Sequence, residues 1–599
     1  MKKEMIREFD GKQLYYSFLA GAKRLFENQN LINKINVFPV ADADTGTNLA
    51  STMRSIVDNV IPSENLKFTA DAIADAALVG ARGNSGIIFA QFLFGFSNEI
   101  KTSTSKINVQ NFAEIILKAV RYAYEAISNP REGTMISVIK EWAEGIYCLK
   151  DKFDDFIKLL VKSLDYASIS LDKTTGQLEV LAKANVVDAG AKGFVVFLEG
   201  MLEFFQDGTI RNLSGTRNIV KPIADIVAIS HEIITFRYCT EALLVGENIQ
   251  KEKLRELLNS FGDSVVVAGS PQKIRFHVHT DTPTDLFQEV TNFGKITFQK
   301  VDDMVMQNEI ASNRKTPIGI LSDSTLDLPQ ELIEKHQIQV IPMVLNFGPN
   351  IYLDRVTISS EQFYKRVVAD KDHPTSSQPS FKEFTNKLNY MSSIYDSILC
   401  FSISKKLSGT FSNLKKASKT IGLQTHKNIT AISSQSISAG TGLQVLRAAI
   451  EAEKGRPYEE IVNEAQSWGD KTIMLAATET TKYMVRSGRL SPMQGLIGGA
   501  LGIKPVVKVD KNGKVEAFGK PLTLNSLHKK ILDEVKRFTK DKKVWNYAIT
   551  HVDNPKLAGF FEEELPKIIG KKPLFTYIAS PVLGANVGPG VTSISILLD

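Results

Sequence analysis

The chain has 599 residues and a net charge of +6, with 43% hydrophobic and 23% charged residues. That length exceeds one core, so roughly two to four globular domains are expected. The modest charge, without a dense basic block or an aromatic stacking motif, excludes a nucleic-acid reading. Three cysteines, Cys148, Cys239 and Cys400, are too few and too odd for a disulfide framework and suit a reducing compartment. The N-terminal segment carries charges throughout, unlike a secretory signal. No uncharged run nears the roughly 20 apolar residues that span a bilayer. A soluble, cytoplasmic protein is expected.

The first stretch, residues 1–208, is predicted to be helical. Leu14, Phe18, Ala22 and Phe26 recur at helical spacing, as do Phe112, Ile116, Ala119 and Ala123. Between the first helices lies Asn36-Val-Phe-Pro-Val-Ala-Asp-Ala-Asp-Thr-Gly-Thr-Asn48. Pro39 and Gly46 mark a loop feeding a helix predicted from Leu49 to Asn59. Helix starts suit phosphate. Asp42 and Asp44, with Asn36 as a further oxygen donor, suit Mg²⁺ arriving with a nucleotide. The plainer reading is a capping Asp beside a turn. Three more loops open helices: Gly80 to Gly86 before a helix over Ile87–Phe96, Asn129 to Met135, and Val187 to Gly193. All four are expected to share one end of the domain.

In this order the four motifs resemble the L-type domain of dihydroxyacetone kinases, in the version that opens bacterial fatty acid kinases, over residues 6–208. The resemblance implies an antiparallel all-α helical barrel that binds ATP with Mg²⁺. It makes Asn36, Asp42 and Asp44 metal ligands, the two carboxylates being catalytic. It sets Thr47 and Asn48 on the phosphates, with Asn84, Ser85 and Gly86 as further contacts. Gly133, Thr134 and Met135 become the adenine-side loop, and Asp188 and Gly190 close over the nucleotide. Ala43 departs from the family's frequent Gly.

A polar loop, Gln206 to Lys221, leads to a middle α+β domain over residues 222–310. Ile233–Tyr238 and Val265–Ala268 read as strands and Lys251–Ser260 as a helix. In Ile274-Arg-Phe-His-Val-His279 alternation puts Arg275, His277 and His279 on one face. With Cys239 at another strand's end, His277 and His279 make a partial Zn²⁺ set, its fourth position open or filled by Asp or Glu. The alternative is a solvated strand face beside a buried thiol. The middle domain of fatty acid kinases also has a Cys in a Tyr-Cys-Thr-Glu setting and a His-x-His strand. That resemblance favours a metal or catalytic role for Cys239, His277 and His279; a phosphate relay through His is the less economical variant.

A linker is expected over Gln307–Pro317, then an α/β domain over residues 317–599. Strands are predicted at Val340–Leu345, Ser397–Ser402, Ile429–Ser433 and Ile473–Ala477, in a parallel sheet. The loops after them are rich in hydroxyls, with Arg486 and Arg489 near, a pattern that suits a carboxylate, while any one loop alone reads as ordinary turns and caps. Ser322-Asp-Ser-Thr325, Ser377-Gln-Pro379, Leu407-Ser-Gly-Thr410, Arg486-Ser-Gly-Arg489, Ile503-Lys-Pro505 and Gly588-Pro-Gly590 together resemble the DegV family of fatty-acid-binding proteins. That implies a DegV-type α/β fold of two subdomains, with Ser376, Ser408, Arg489 and Asn586 at the head group. Asn586 stands where these carriers usually have His.

The two resemblances imply a chain that phosphorylates a fatty acid bound in its own C-terminal domain, giving acyl phosphate and ADP. They further imply a homodimer if the acyl group is presented in trans, and transient membrane contact when the product is handed on. Two alternatives stay open: a nucleotide-regulated lipid-binding protein without turnover, and a kinase for another small acid or alcohol.

Overall fold

The computed structural model describes residues 5–37, 44–207, 234–369, 373–478, 480–490, 506–510, 512–519, 521 and 523–599. Asp42, Ile233, the motif at 503–505 and all but the first two residues of the Gln206–Lys221 loop lie outside the described residues. The chain divides into two compact units, Met1–Ser312 and Asn313–Asp599.

The first unit opens with a short strand, β1 (Glu8–Asp10), and helices α1 (Gly11–Lys34), α2 (Thr45–Asn59), α3 (Leu66–Gly80) and α4 (Gly83–Glu99). Then come β2 (Lys106–Asn108), α5 (Val109–Ala126), α6 (Met135–Leu149), α7 (Phe156–Gln177), α8 (Glu179–Ala184) and α9 (Ala189–Asp207). Asp10 and Gln13 start α1 with a reciprocal capping box. Leu14, Phe18, Ala22 and Phe26 are buried, so the helical spacing marks the inward face. From α1 to α7 each helix packs against the next, α7 packs against α9, and α9 returns against α1, closing a ring. Phe89, Phe92, Trp142 and Phe194 meet edge to face in its core. β1 and β2 pair antiparallel; three-residue strands carry too little alternation to be seen in sequence.

The same unit continues with β3 (Tyr238–Val245), α10 (Lys251–Phe261), β4 (Gly262–Ser270), β5 (Lys273–Thr280), α11 (Pro283–Val290), β6 (Lys295–Asp303) and α12 (Met304–Ser312). The strands form one antiparallel sheet in the order β4-β5-β3-β6. The strand predicted to end at Tyr238 instead begins there. Both neighbours, at Thr280 and Asp303, start pairing at that residue, so nothing extends the ladder upstream. The linker predicted from Gln307 is helical to Ser312, because Asp303 caps the Met306 amide and Met306 and Ile310 are buried. β4 and β5 pack on α4, where Gln91 accepts the Gly269 amide at 2.8 Å.

Among its described residues the second unit holds three sheets. A parallel sheet, as predicted, contains β7 (Ile318–Asp323), β8 (Gln339–Ile341), β12 (Ser397–Ser402) and β13 (Asn428–Ser433), in the order β13-β12-β7-β8. A small antiparallel sheet joins β9 (Val344–Phe347), β10 (Asn350–Leu353) and β11 (Thr375–Ser377). The third contains β14 (Thr472–Ala477), β15 (Val506–Val509), β16 (Val515–Phe518), β17 (Val544–His551), β18 (Thr576–Ile578) and β19 (Thr592–Leu598). It runs β16-β15-β14-β19-β17-β18 and is antiparallel except for β17 with β18. Two sequence expectations change here. The strand predicted over Val340–Leu345 is split between two sheets, since Pro342 has no amide to continue a ladder. The strand at Ile473–Ala477 belongs to the antiparallel sheet, not the parallel one.

Candidate functional site

The loop end of the helical ring brings together residues from all four predicted motifs. α2 begins at Thr45, directly after Asp44, whose Oδ1 accepts from Asn48 Nδ2 at 2.7 Å. The Thr47 amide donates to Asn33 Oδ1, and its hydroxyl accepts from Gln29 and Asn33, tying α2 to α1. Asn36 is buried. Asn48 Nδ2 lies 2.4 Å from where a Cβ on Gly83 would stand, so the α2 and α4 starts are in contact. A Cβ on Gly190 would stand 2.6 Å from Ser85 Oγ and 3.3 Å from both Asp188 Oδ1 and Met135 Cβ. Asn84 Oδ1 is buried without a hydrogen-bond partner among the described residues. In the third loop Ser137 Oγ accepts the Gly133 amide and donates to Glu132 at 2.6 Å, while Thr134 Oγ1 donates to the Arg131 carbonyl. Asp188 Oδ1 accepts the Ala191 amide at 2.8 Å. Burial pushes the Asp188 carboxyl up to about 6, against the amides of Ala191, Met135 and Gly190.

The sheet of the first unit presents the Cys/His group. Cys239 pairs with His279 and Glu241 with His277 across β3 and β5. Ligand atoms of Cys239, His277 and His279 all lie within 4.8 Å of one another. Cys239 Sγ is 3.8 Å from His277 Nδ1, close to the roughly 3.3–3.8 Å that separates ligands around a tetrahedral zinc. His277 Nε2 is buried and lacks a hydrogen-bond partner among the described residues. His279 Nδ1 stands 3.5 Å from Asp263, a carboxylate placed to orient the imidazole ring. The N/S donor set fits Zn²⁺ by type, with His277 turning Nδ1 toward the thiol and keeping Nε2 unpartnered among the described residues. Asn36 and Asp44 are hard oxygen donors and fit Mg²⁺ by type.

Sequence reasoning gave no role to the charges around this group. Glu241 is fully buried; it takes the Gly83 amide on Oε1 at 2.6 Å and the Arg275 guanidinium on Oε2 at 2.9 Å. Burial alone would raise its carboxyl, but His277, Arg275 and Lys300 hold it well below the usual carboxylate range. Lys300 Nζ pairs with Asp302 at 2.5 Å and faces Asp44 Oδ2 at 3.8 Å. Burial opposes its charge, yet Asp302, Asp44 and Glu241 raise it. Burial also lifts the Cys239 thiol, aided by the charge on Glu241. Lys300 and Asp302 sit opposite Glu241 and Cys239 across β3 and β6. Period-two alternation in β6 was therefore the available signal. The contact of Lys300 with Asp44 makes the helix-end loops and the Cys/His face parts of one site.

In the second unit a narrow apolar cavity of about 60 Å³ is lined by Met474, Ala476, Met484, Val507, Leu583 and Val591, with Arg489 and Asn586 at its wall. Burial pushes the Arg489 guanidinium down, and no carboxylate faces it among the described residues. Asn586 donates to the Val582 carbonyl at 2.7 Å and, at 3.4 Å, to Ser376 Oγ. Ser408 bonds Thr410 at 2.7 Å beside Leu407, a lining residue.

Fold and site define a multidomain protein: a helical ring joined to an antiparallel sheet with a Cys/His face, then an α/β unit around an apolar cavity. Family models match these parts in succession. They are a DAK2 domain over residues 39–203, a FakA-like middle domain of fatty acid kinase over 235–311 and an uncharacterised DegV-family protein over 317–599, so the chain carries those three domains. An uncharacterized protein of Staphylococcus saprophyticus is 34% identical over 315 residues, 51% of this chain and 57% of that one. The YloV protein of Bacillus subtilis is 31% identical over 329 residues, 52% of this chain and 59% of that one. The chain thus spans less than two thirds of these relatives. Among solved structures, a fatty-acid-binding DegV family protein of Thermus thermophilus is 25% identical (TM-score 0.44; 47% of this chain, 99% of that one). DegV of Bacillus subtilis, described as a fatty acid binding protein, is also 25% identical (TM-score 0.43; 47% and 100%). No helix among the described residues is long and apolar enough to cross a membrane.

Proposed function

We propose that the protein transfers the γ-phosphoryl group of ATP to a fatty acid held in its DegV domain, giving an acyl phosphate and ADP. The observation that carries this reading is the succession of the three domains in one chain. A fatty acid carboxylate is ionised at pH 7, so its oxygen attacks phosphorus without a general base, the γ-phosphate bond to ADP breaks, and no proton is moved. Catalysis then rests on placement and charge neutralisation. Asn36, Asp42 and Asp44 would hold Mg²⁺, which neutralises phosphate charge when bound. Thr47, Asn48, the helix start Asn84-Ser85-Gly86, the loop Gly133-Thr134-Met135, Asp188 and Gly190 would surround the nucleotide. Cys239, His277 and His279 would hold Zn²⁺ with a fourth position open, the pattern of catalytic zinc sites. Arg489, with no carboxylate facing it among the described residues, would pair with the acyl carboxylate, near Ser376, Ser408 and Asn586.

The test is acyl hydroxamate formation from oleate or palmitate with ATP, Mg²⁺ and hydroxylamine. Wild type should give product, Asp44→Ala should lose it, and Arg489→Ala should raise the KM for fatty acid by about tenfold, the loss of one charge-assisted contact. No product from wild type at any chain length would reject self-contained kinase activity. It would favour the second reading, a lipid-binding protein without turnover. The feature behind that reading is Asn586, whose amide is bonded to Val582 and carries no charge to the head group.

A further inference from the structure

We propose that Glu241 is a positioning residue that couples the Cys239/His277/His279 metal set to the glycine turn of the nucleotide site, so that metal and nucleotide bind cooperatively. This rests on the reading that the turn takes nucleotide and the Cys/His set takes metal. Glu241 lies in the middle of β3, yet its Oε1 accepts the amide of Gly83, the first residue of α4. The same Oε1 stands 3.8 Å from His277 Nδ1, while Oε2 is fixed by Arg275. Glu241, Arg275 and His277 are 0%, 0% and 2% exposed, so water does not substitute for any of these contacts. Arg275 is itself wedged against the Phe298 ring at 4.2 Å and bonds the Val79 carbonyl at the end of α3.

Gly83 is in the left-handed region, at φ +59°. Its peptide plane therefore sets the direction in which the first turn of α4 presents Asn84, Ser85 and Gly86. A metal on the Cys/His face adds positive charge beside the Glu241 carboxylate and further restrains it where it already holds Gly83. The ordered carboxylate holds Gly83, and the turn meets a nucleotide already formed, which lowers the ordering cost of binding. By reciprocity the nucleotide tightens metal binding by the same factor.

The experiment uses the full chain and Zn²⁺ affinity from chelator competition, with Mg²⁺ present, with and without a non-hydrolysable ATP analogue. In wild type the analogue should tighten Zn²⁺ binding at least about fivefold. Glu241→Gln should bring the ratio near one while each ligand still binds alone. Because that variant strips the buried Arg275 of its partner, a Glu241→Gln/Arg275→Met double variant, neutral in both positions, should behave the same way. In wild type, Zn²⁺ without nucleotide should slow hydrogen exchange in the peptide containing Gly83. Zinc binding that ignores nucleotide in wild type, or a ratio kept in the variants, overturns the coupling alone. No zinc bound to wild type removes the metal reading, and the coupling falls with it.

Discussion

Asp188 is a carboxyl buried where two helices begin, and its charge is costly there. Its native value of about 6 lies above the ordinary 3.8. The native state therefore holds the proton more tightly than the unfolded chain. Stability is fully present below about pH 4 and is lost as pH rises through about 6, by at most ~3 kcal/mol. Urea unfolding of wild type against Asp188→Asn across this window should show wild type losing ground as pH rises. A stability difference independent of pH would remove the claim. At the same scale, legibility depended on what a residue needs to reveal itself. Asp44, Asn48, Asp188, Cys239, His277 and His279 stand out in sequence because their types and spacing suggest ligands. Lys300 and Glu241 do not, because an isolated Lys or Glu on a strand reads as a solvated face. Only the pairing of three strands, distant in sequence, turns them inward against each other.

At the scale of elements, the loop end depends on how closely α1 and α2 approach. A Cβ on Gly46 would stand 2.3 Å from the Gln29 carbonyl oxygen, which is backbone and cannot swing aside. Gly46→Ala should therefore cost about 1–3 kcal/mol and weaken nucleotide binding through the displaced Asp44 loop. Gly176 in α7 has nothing within 4 Å of its would-be Cβ, so Gly176→Ala should stabilise by about 0.5–1 kcal/mol. Unfolding midpoints moving the same way for both would contradict this packing. Long periodic elements, such as α1 and α5, were legible because one face of each is buried over several turns. The exceptions had local causes. Pro342 cuts one apolar run into β8 and β9, and β14 has the apolar look of a parallel strand while pairing antiparallel on both sides, since both faces of its sheet are covered. Alternation shows burial and not the direction of a neighbour.

At the scale of the molecule, motif order carried the division into a helical part, a middle sheet and an α/β part, because each part uses its own periodicity. The detailed partition of the second unit into three sheets was not legible. It depends on which strands meet after long connections, and β14 joins β15 and β19, the latter more than a hundred residues on. On the proposed reading the apolar cavity of that unit would also tie folding to mass action. An acyl chain that binds only the folded unit adds about 2.7 kcal/mol at a free concentration one hundred times its Kd. Calorimetry with added oleate should therefore raise the melting transition of the second unit and leave that of the helical unit in place; joint movement, or none, would contradict it. Lipid supply would then govern the lifetime of the chain against proteolysis as well as its output, with half of the molecule acting as its own gauge of the acyl pool.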